Sequence, residues 1–333
     1  MTTSRSNPSF INRRTLLGAF AAAPALLPRR AWSQDKYPSR PIKVIVPFGA
    51  GGVADITVRL VTERLGDVLG QRFVIENVPG AGGTLAAQRV LQAPADGYTL
   101  ALLSNGTAVS VGLFKALPFD PVKDFVPIST LGVFDFILAT NQATGFHKLE
   151  DFLAAARAKP GALNIGTVVV GSTQQLSAVL LNMVADIKTE VVTFRTTPEV
   201  LVSLLRNDVQ LAIDSYASLK SALAEKTVIA LATSGAKQSL VLPNVPPAAA
   251  AGIPGFDAPS WNALFARAAT PQEPLDVLGK GLHEVLTQPD IRARLLELGI
   301  EATPSTPAEL SERLNRDIRR WSEVIDRAGI AKQ

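Results

Sequence analysis

IKVIVPFGAGG, residues 42–52, is a short β-branched run that ends in a cluster of three glycines. A run of this length and composition predicts a buried strand that stops at a tight turn. In the next segment, residues 54–69, apolar side chains recur at helical spacing, and Gly70 after them is a helix stop signal. A strand, a glycine turn and a helix in this order indicate an α/β fold.

The same pattern returns along the chain. A strand at residues 72–75 precedes a second glycine turn at 79–83, and an apolar run at 131–139 separates this series from a later one. Such units predict parallel sheets with right-handed crossovers. The other expected elements are helices at 85–91, 150–158, after 171–172 and at 199–205, strands at 99–103, 163–170, 191–194, 209–213 and 228–232, a Pro-rich connector at 242–259 and a final helix capped by Thr306 and Glu309.

The first 33 residues differ from the rest of the chain, because they contain five Arg and no acidic residue. The pair Arg13-Arg14 leads into a short apolar stretch that cannot span a bilayer. This pattern predicts an export signal at residues 1–33, cleaved near Ser33. The arginine pair resembles a twin-arginine signal, although Asn12 and Leu16 depart from its usual residues.

Removal of this segment leaves 28 basic and 29 acidic residues, a net charge of −1. The pI of about 9.4 of the full chain therefore does not indicate a nucleic-acid partner. No later segment reaches the roughly 18 uninterrupted apolar residues of a membrane helix. We therefore expect no membrane insertion of the mature chain.

Few side chains are suited to catalysis. The chain has no Cys and two His, which excludes disulfides, thiolate catalysis and Cys-ligated zinc. His147 and His283 each lie beside a charged, helix-like segment, where exposure at the surface is the expected role. The motifs of serine hydrolases, zinc hydrolases and nucleotide phosphate loops do not occur. The sequence thus gives no support to a hydrolase or a metalloenzyme.

The first glycine turn allows more than one function. Residues 49–54 fit the dinucleotide fingerprint, and Glu76 ends the next strand about twenty residues further on. An exported NAD(P)-dependent oxidoreductase is therefore one alternative. A second glycine turn is unnecessary for a single dinucleotide, however, and free amides at a helix start bind a carboxylate as well as a phosphate. A pure interaction module would give neither turn a use.

Two acidic residues stand at predicted element ends. Asp55, one residue into the first helix, either complements the helix dipole or belongs to a site. Asp214 follows the apolar strand 211–213, and open α/β sheets bind their ligands at such strand ends. Both residues are therefore candidates for a binding cleft.

Several motifs in fixed order resemble one protein family. Residues 41–52 with Asp55 are similar to the opening of the Bug family, the periplasmic receptors of tripartite tricarboxylate transporters. The likeness extends over nearly all of residues 37–330. Further matching stretches are 76–83, 96–100, 117–121 with 124–125, 242–246, the turn from Gly252 to Gly255, and Trp261.

The resemblance implies a two-lobed α/β clamp of the type II periplasmic-binding-protein (Venus-flytrap) fold, with a mostly parallel, helix-flanked sheet in each lobe. Lobe 1 would hold residues 34–133 and 257–333, and lobe 2 residues 134–256. The implied function is a non-enzymatic periplasmic receptor without a cofactor or metal. It would capture a small carboxylate between the lobes and deliver it to the membrane permease subunits of the transporter. We expect it to be a monomer.

The resemblance also implies where the ligand lies. Second-lobe departures from the family pattern are Val169, Gln175 and Arg195, which either change ligand choice or reflect neutral drift. We place Ser172 at the first helical position, where its amide would be free to face a carboxylate. The expected ligand-binding residues are Phe48, Gly49, Ala50, Gly51, Gly52 and Asp55 in the first lobe and Gly171, Ser172, Thr173, Gln175, Arg195 and Asp214 in the second.

Overall fold

The computed structural model describes residues 1–4 and 36–333. The expected twin-arginine pair Arg13-Arg14 and the cleavage site near Ser33 lie outside the described residues. In chain order the elements are β1 (Ile42–Val46), α1 (Val53–Leu69), β2 (Phe73–Asn77), α2 (Thr84–Leu91), β3 (Thr99–Ser104), α3 (Asn105–Leu113), β4 (Phe125–Phe134), β5 (Phe136–Asn141), α4 (Leu149–Ala158), β6 (Asn164–Val168), α5 (Thr173–Ala185), β7 (Glu190–Phe194), α6 (Thr197–Leu205), β8 (Leu211–Ser215), α7 (Tyr216–Ala224), β9 (Val228–Thr233), β10 (Ser260–Arg267), α8 (Gln272–Thr287), α9 (Pro289–Leu296), β11 (Ile300–Ala302) and α10 (Pro307–Arg327).

The first sheet has the strand order β11-β4-β10-β3-β1-β2. β1 pairs in parallel with β2 and β3, so it is covered on both edges. Its residues Ile42, Val44, Ile45 and Val46 are buried, as expected for a continuous apolar run in a parallel sheet. Gly70 ends α1 in the left-handed conformation at a φ of 68°, which confirms the stop signal.

The second sheet has the strand order β7-β6-β8-β5-β9. β6 pairs in parallel with β7 and β8, whereas β5 runs antiparallel to β8 and β9. In the first sheet β10 is likewise antiparallel to β3 and β4. The α/β class with two helix-flanked sheets is confirmed. The pairing is more mixed than expected, because β10 in the first sheet and β5 in the second each run antiparallel to both of their neighbours. Each of these two is the first strand after the chain crosses from one sheet to the other.

The chain passes between the sheets at two places. The first crossing is Asp135, between β4 and β5, and the second is the connector between β9 and β10. The lobe boundaries at residues 134 and 257 stay predictions, and each falls beside one of these crossings. No helix of the described ranges is long and apolar enough to span a bilayer.

α10 packs on the first sheet through one apolar stripe. Thr306 Oγ1 accepts from the Glu309 amide at 3.3 Å, and the Glu309 carboxylate accepts from the Thr306 amide at 2.8 Å, which confirms the capping box. The helix also lies close to α3, because a Cβ at Gly112 would come within 2.9 Å of Ser322 Cα. The buried members of the stripe are Leu310, Leu314, Trp321 and Ile325.

Candidate functional site

Two sets of strand ends supply the candidate site. In the first sheet the parallel strands β1, β2 and β3 are each followed by a helix, α1, α2 and α3. In the second sheet β6, β7 and β8 are followed by α5, α6 and α7 in the same way. Carboxyl ends of parallel strands share one edge of a sheet, so each sheet presents three helix starts at that edge.

The start of α3 joins the two predicted turns. A Cβ built on Gly106 would lie 3.7 Å from Phe48 Cζ and 3.8 Å from the Gly171 carbonyl oxygen. A Cβ on Gly171 would lie 3.4 Å from Leu113 Cδ2 and 4.0 Å from Gly82 Cα. The structure therefore brings Phe48 and Gly171, which were predicted from opposite halves of the chain, to the same place.

Asp55 braces the first turn. Its side chain is buried, and Oδ2 accepts a hydrogen bond of 2.9 Å from the Gly51 amide. Its Oδ1 accepts from Arg59 Nε and from Asn77 Nδ2, both at 2.9 Å. Burial alone would raise the pKa of this carboxyl, but the hydrogen bonds from Arg59, Gly51 and Asn77 outweigh it and lower the pKa. Both oxygens are thus occupied, and Asp55 acts as a positioning residue.

The remaining amides of this turn are open. Asn77 Nδ2 also donates to the Phe48 carbonyl at 3.0 Å, so the turn is fixed from both sides. Gly49 and Ala50 are exposed and Gly52 is half-buried, and no described residue accepts a hydrogen bond from their amides. These amides stand at the start of α1, where the helix dipole favours an anion.

The second turn is built differently from the expectation. The helix begins at Thr173, and Ser172 is its N-cap. Ser172 Oγ accepts from the Gln175 amide at 3.2 Å and donates to the Val168 carbonyl at 2.7 Å, while the Ser172 amide donates to the Val169 carbonyl at 3.2 Å. The placement of Ser172 at the first helical position was therefore wrong, because its amide and its hydroxyl serve the turn itself.

The open amides of the second turn belong to the next two residues. Thr173 and Gln174 occupy the first two positions of α5, whose amides have no partner inside a helix. Gln175 Oε1 accepts from the Gly171 amide at 2.8 Å, so Gln175 holds the turn as Asp55 holds the first one. Gly171 takes a φ of 83°, which favours glycine at this point.

Asp214 lies fully buried near the end of β8. Its Oδ1 accepts from the Ser215 amide at 2.7 Å, and Oδ2 has no hydrogen-bond partner within the described ranges. Burial raises the pKa of Asp214 to about 6, although polar groups of Ser215, Thr197 and Gln174 act in the opposite direction. Since Gln174 and Thr197 stand at the starts of α5 and α6, the carboxyl is placed where these helix starts converge.

Arg195 makes no side-chain hydrogen bond or ion pair with the other predicted site residues that the structure describes. Its side chain is exposed, and its backbone amide donates to Glu199 Oε2 at 3.0 Å. Its guanidinium forms no ion pair with any described residue. Val169, the other departure near the turn, is 41% exposed.

Sequence reasoning missed three contributors: Asn77, Gly106 and Gln174. Asn77 ends a parallel strand directly before a glycine turn, and that position was a usable signal. Gly106 and Gln174 carry no such signal, because their role depends on which helix starts come together. Within the described part of the chain, no group of three or more acidic or His side chains is arranged to hold a metal ion.

Comparisons with known proteins agree on one group. The family model described as "Tripartite tricarboxylate transporter family receptor" matches residues 57–330. Protein BugT of Bordetella pertussis is 29% identical over 89% of this chain and 92% of its own. An R. palustris protein solved with adipate is 30% identical at a TM-score of 0.84, covering 89% of this chain and 99% of that one. MatC from Rhodopseudomonas palustris with bound malate is 34% identical at a TM-score of 0.80, covering 87% and 100%.

Proposed function

The chain belongs to the tripartite tricarboxylate transporter receptor family, which confirms the resemblance to the Bug receptors and the periplasmic-binding-protein fold, and from this premise we propose how it works. Its function is solute binding, and the family consists of binding receptors. The ligand we propose is a small carboxylate held between the turn at residues 48–52 and the turn at residues 171–174. Neither a catalytic residue nor a cofactor takes part.

One observation carries this proposal: Phe48 of the first turn and Gly171 of the second both lie close to Gly106, and within the described residues each turn has amides without an acceptor. The open amides of Gly49, Ala50 and Gly52 stand at the start of α1, and those of Thr173 and Gln174 at the start of α5. Backbone amides at helix starts donate to an anion without needing a cationic side chain. A carboxylate with two acceptor oxygens can bridge such a pair of turns.

The predicted side chains divide by task in this proposal. Asp55 and Gln175 accept hydrogen bonds from Gly51 and Gly171 and so orient the two turns. Asp214 supplies an acceptor, or when protonated a donor, beside the start of α5. Phe48 supplies apolar contact to the body of the ligand, whereas Ser172 and Arg195 have no direct contact assigned.

The acidic residue that a dinucleotide site would need is engaged in ion pairs in this structure. A dinucleotide site of this kind needs a free acidic group at the end of the second strand for the ribose hydroxyls. Glu76 stands there, but its carboxylate forms ion pairs with Lys43 at 3.0 Å and with Arg89 at 3.4 Å. These two pairs are consistent with a structural role for Glu76 and speak against an oxidoreductase.

Melting curves with a ligand panel test the proposal. A ligand that binds only the folded state stabilises it by about 2.7 kcal/mol at a hundredfold excess over its dissociation constant. Malate and adipate are the first candidates, because related receptors were solved with them. We expect at least one mono-, di- or tricarboxylate to raise the melting temperature and NAD to leave it unchanged. A shift with NAD alone would overturn the receptor proposal.

We further propose that the chain is exported to the periplasm and cleaved near Ser33. The mature protein then acts as a monomer and delivers its bound ligand to the membrane permease subunits. The family membership and the composition of residues 1–33 support export. Arg13→Lys with Arg14→Lys should leave uncleaved precursor in the cytoplasm, while Arg5→Lys should be exported normally. Normal processing of the double variant in cell fractions would remove the twin-arginine route.

A further inference from the structure

A cavity lies between α10 and the two crossings of the chain, and Asn105, the residue before Gly106, is part of its lining. Its volume is about 130 Å³, which is room for several waters or one small oxyanion. Val133, beside the first crossing, and Asp257 and Pro259, in the second, form one wall. The opposite wall is α10, so we call this space the α10 cavity.

Three arginines of α10 line the α10 cavity: Arg313, Arg316 and Arg320. Their spacing of three and four residues puts them on one face of the helix. Arg316 Nε donates to Asp317 Oδ1 at 3.3 Å. Arg320 donates to the Asp257 carbonyl and lies 3.8 Å from its carboxylate. No hydrogen bond or ion pair from the described residues reaches the Arg313 guanidinium, although this side chain is partly buried.

The acidic groups near Arg313 are already engaged. Asp317 Oδ2 accepts from Trp261 Nε1 at 2.7 Å, and its other oxygen accepts from Arg316. Glu309, one turn before Arg313, accepts from the amide and the hydroxyl of Thr306 in the capping box. Burial lowers the pKa of Arg313, and the nearby Asp317 opposes this only in part. The cavity thus holds a partly desolvated cation, and the hydrogen bonds that Asp317 and Glu309 accept from described residues come from other donors.

We propose that the α10 cavity is a binding site for a small tetrahedral oxyanion of the phosphate class, with Arg313 as its main ligand and Arg316 and Arg320 beside it. The planar fork of a guanidinium matches two oxygens of such an ion. Trp261 and Trp321 add apolar walls that exclude water and strengthen the attraction. The site does not depend on the carboxylate receptor function, since it shares no residue with the two turns.

Occupation of this site would connect α10 with both crossings. Val133 and Pro259 flank the segments at which the chain passes between the sheets, and an anion held by α10 lies against both.

Calorimetric titration of the protein with inorganic phosphate at constant ionic strength tests the site. Arg313→Gln removes the charge and keeps most of the side-chain length, and Arg316→Gln is a second variant at a position that is 60% exposed. Arg319→Gln is the matched control, because Arg319 is exposed on the same helix and does not line the cavity. Melting curves without phosphate first establish that all variants are folded.

We expect saturable phosphate binding to the unchanged protein and to Arg319→Gln, weakened roughly tenfold or more in Arg313→Gln and less in Arg316→Gln. Absence of saturable binding, or equal affinity in Arg313→Gln and Arg319→Gln, would overturn the proposal. Vesicles of phosphatidylglycerol form a separate arm of the experiment. Vesicle binding that requires Arg313, without binding of free phosphate, would assign these arginines to a lipid surface and likewise overturn it.

Discussion

Asp55 shows how a charged side chain can serve a binding site without touching the ligand. It lies 3% exposed beneath the first turn, and three hydrogen bonds tie it to Gly51, Arg59 and Asn77. A buried acceptor with charged and amide donors is costly to remove, because the donors are left without partners. The carboxylate therefore fixes which way the open amides of the turn point.

Asp55→Ala should destabilise the protein by about 1–3 kcal/mol at pH 7 and weaken carboxylate binding. Arg59→Gln is the matched control, since Arg59 is 50% exposed and its ion pair with Asp55 should contribute less than about 1 kcal/mol. The folded-state pKa of Asp55 is lowered, so its contribution is present above the ordinary pKa of 3.8 and is lost as the pH falls through the lowered value. Urea unfolding of both variants at pH 7 and in acid measures these differences, and an unchanged stability of Asp55→Ala would refute the bracing role.

Asp214 should have the opposite dependence on pH. Its pKa is raised from 3.8 to about 6, so the neutral carboxyl stabilises the ligand-free fold below pH 3.8, and this contribution is lost as the pH rises through 6. Asp214→Asn removes the buried charge and keeps the acceptor for Ser215. The variant should be more stable than the unchanged protein by about 1–3 kcal/mol at pH 8 and nearly equal at pH 4. A stability difference that stays constant between pH 4 and pH 8 would contradict the assigned burial of the charge.

The start of α5 offers a substitution that removes one amide, together with a control that keeps it. Thr173 is the first helical residue, a position where the fixed φ of proline is well tolerated. The residue before it, Ser172, has a φ of −76° and a ψ of 156°, the extended conformation that a following proline requires. Thr173→Val keeps the amide and the shape of the side chain, so it is the matched control.

Thr173→Pro should weaken carboxylate binding by roughly ten- to a hundredfold, because a hydrogen bond to a charged group contributes about 1.5–3 kcal/mol. Thr173→Val should bind nearly as the unchanged protein does. Calorimetry, after melting curves have established folding of both variants, compares the two affinities. Equal affinities would remove α5 from the proposed site.

Elements with strong local signals could be predicted from the sequence, and elements without them could not. β1 has a continuous β-branched run, and α10 has a capping box and an apolar stripe, so both were expected. α3 was missed because eight of its nine residues are buried, which leaves no polar face and no periodicity to detect. Ser172 was misplaced by one residue, since an N-cap and a first helical residue differ only in backbone angles.

The order of the strands could not be predicted from the sequence either, and the reason is different. β10 follows the Pro-rich connector and inserts antiparallel between β3 and β4, more than a hundred residues away in the chain. Local pattern says nothing about such a partner, because the pairing depends on which edges the rest of the chain leaves open. The two-lobed arrangement was predicted from the order of motifs that resembles the Bug receptors, because periodicity alone does not indicate it.

The whole molecule holds its ligand, in this account, between turns from two sheets that meet at Gly106. A crystal structure of the protein with malate or adipate, whichever raises the melting temperature more, examines that arrangement. We predict a carboxylate whose oxygens lie about 3 Å from the amide nitrogens of Thr173 and Gln174 and which reaches the turn at residues 48–52. A carboxylate bound elsewhere, with these amides facing solvent, would contradict the account.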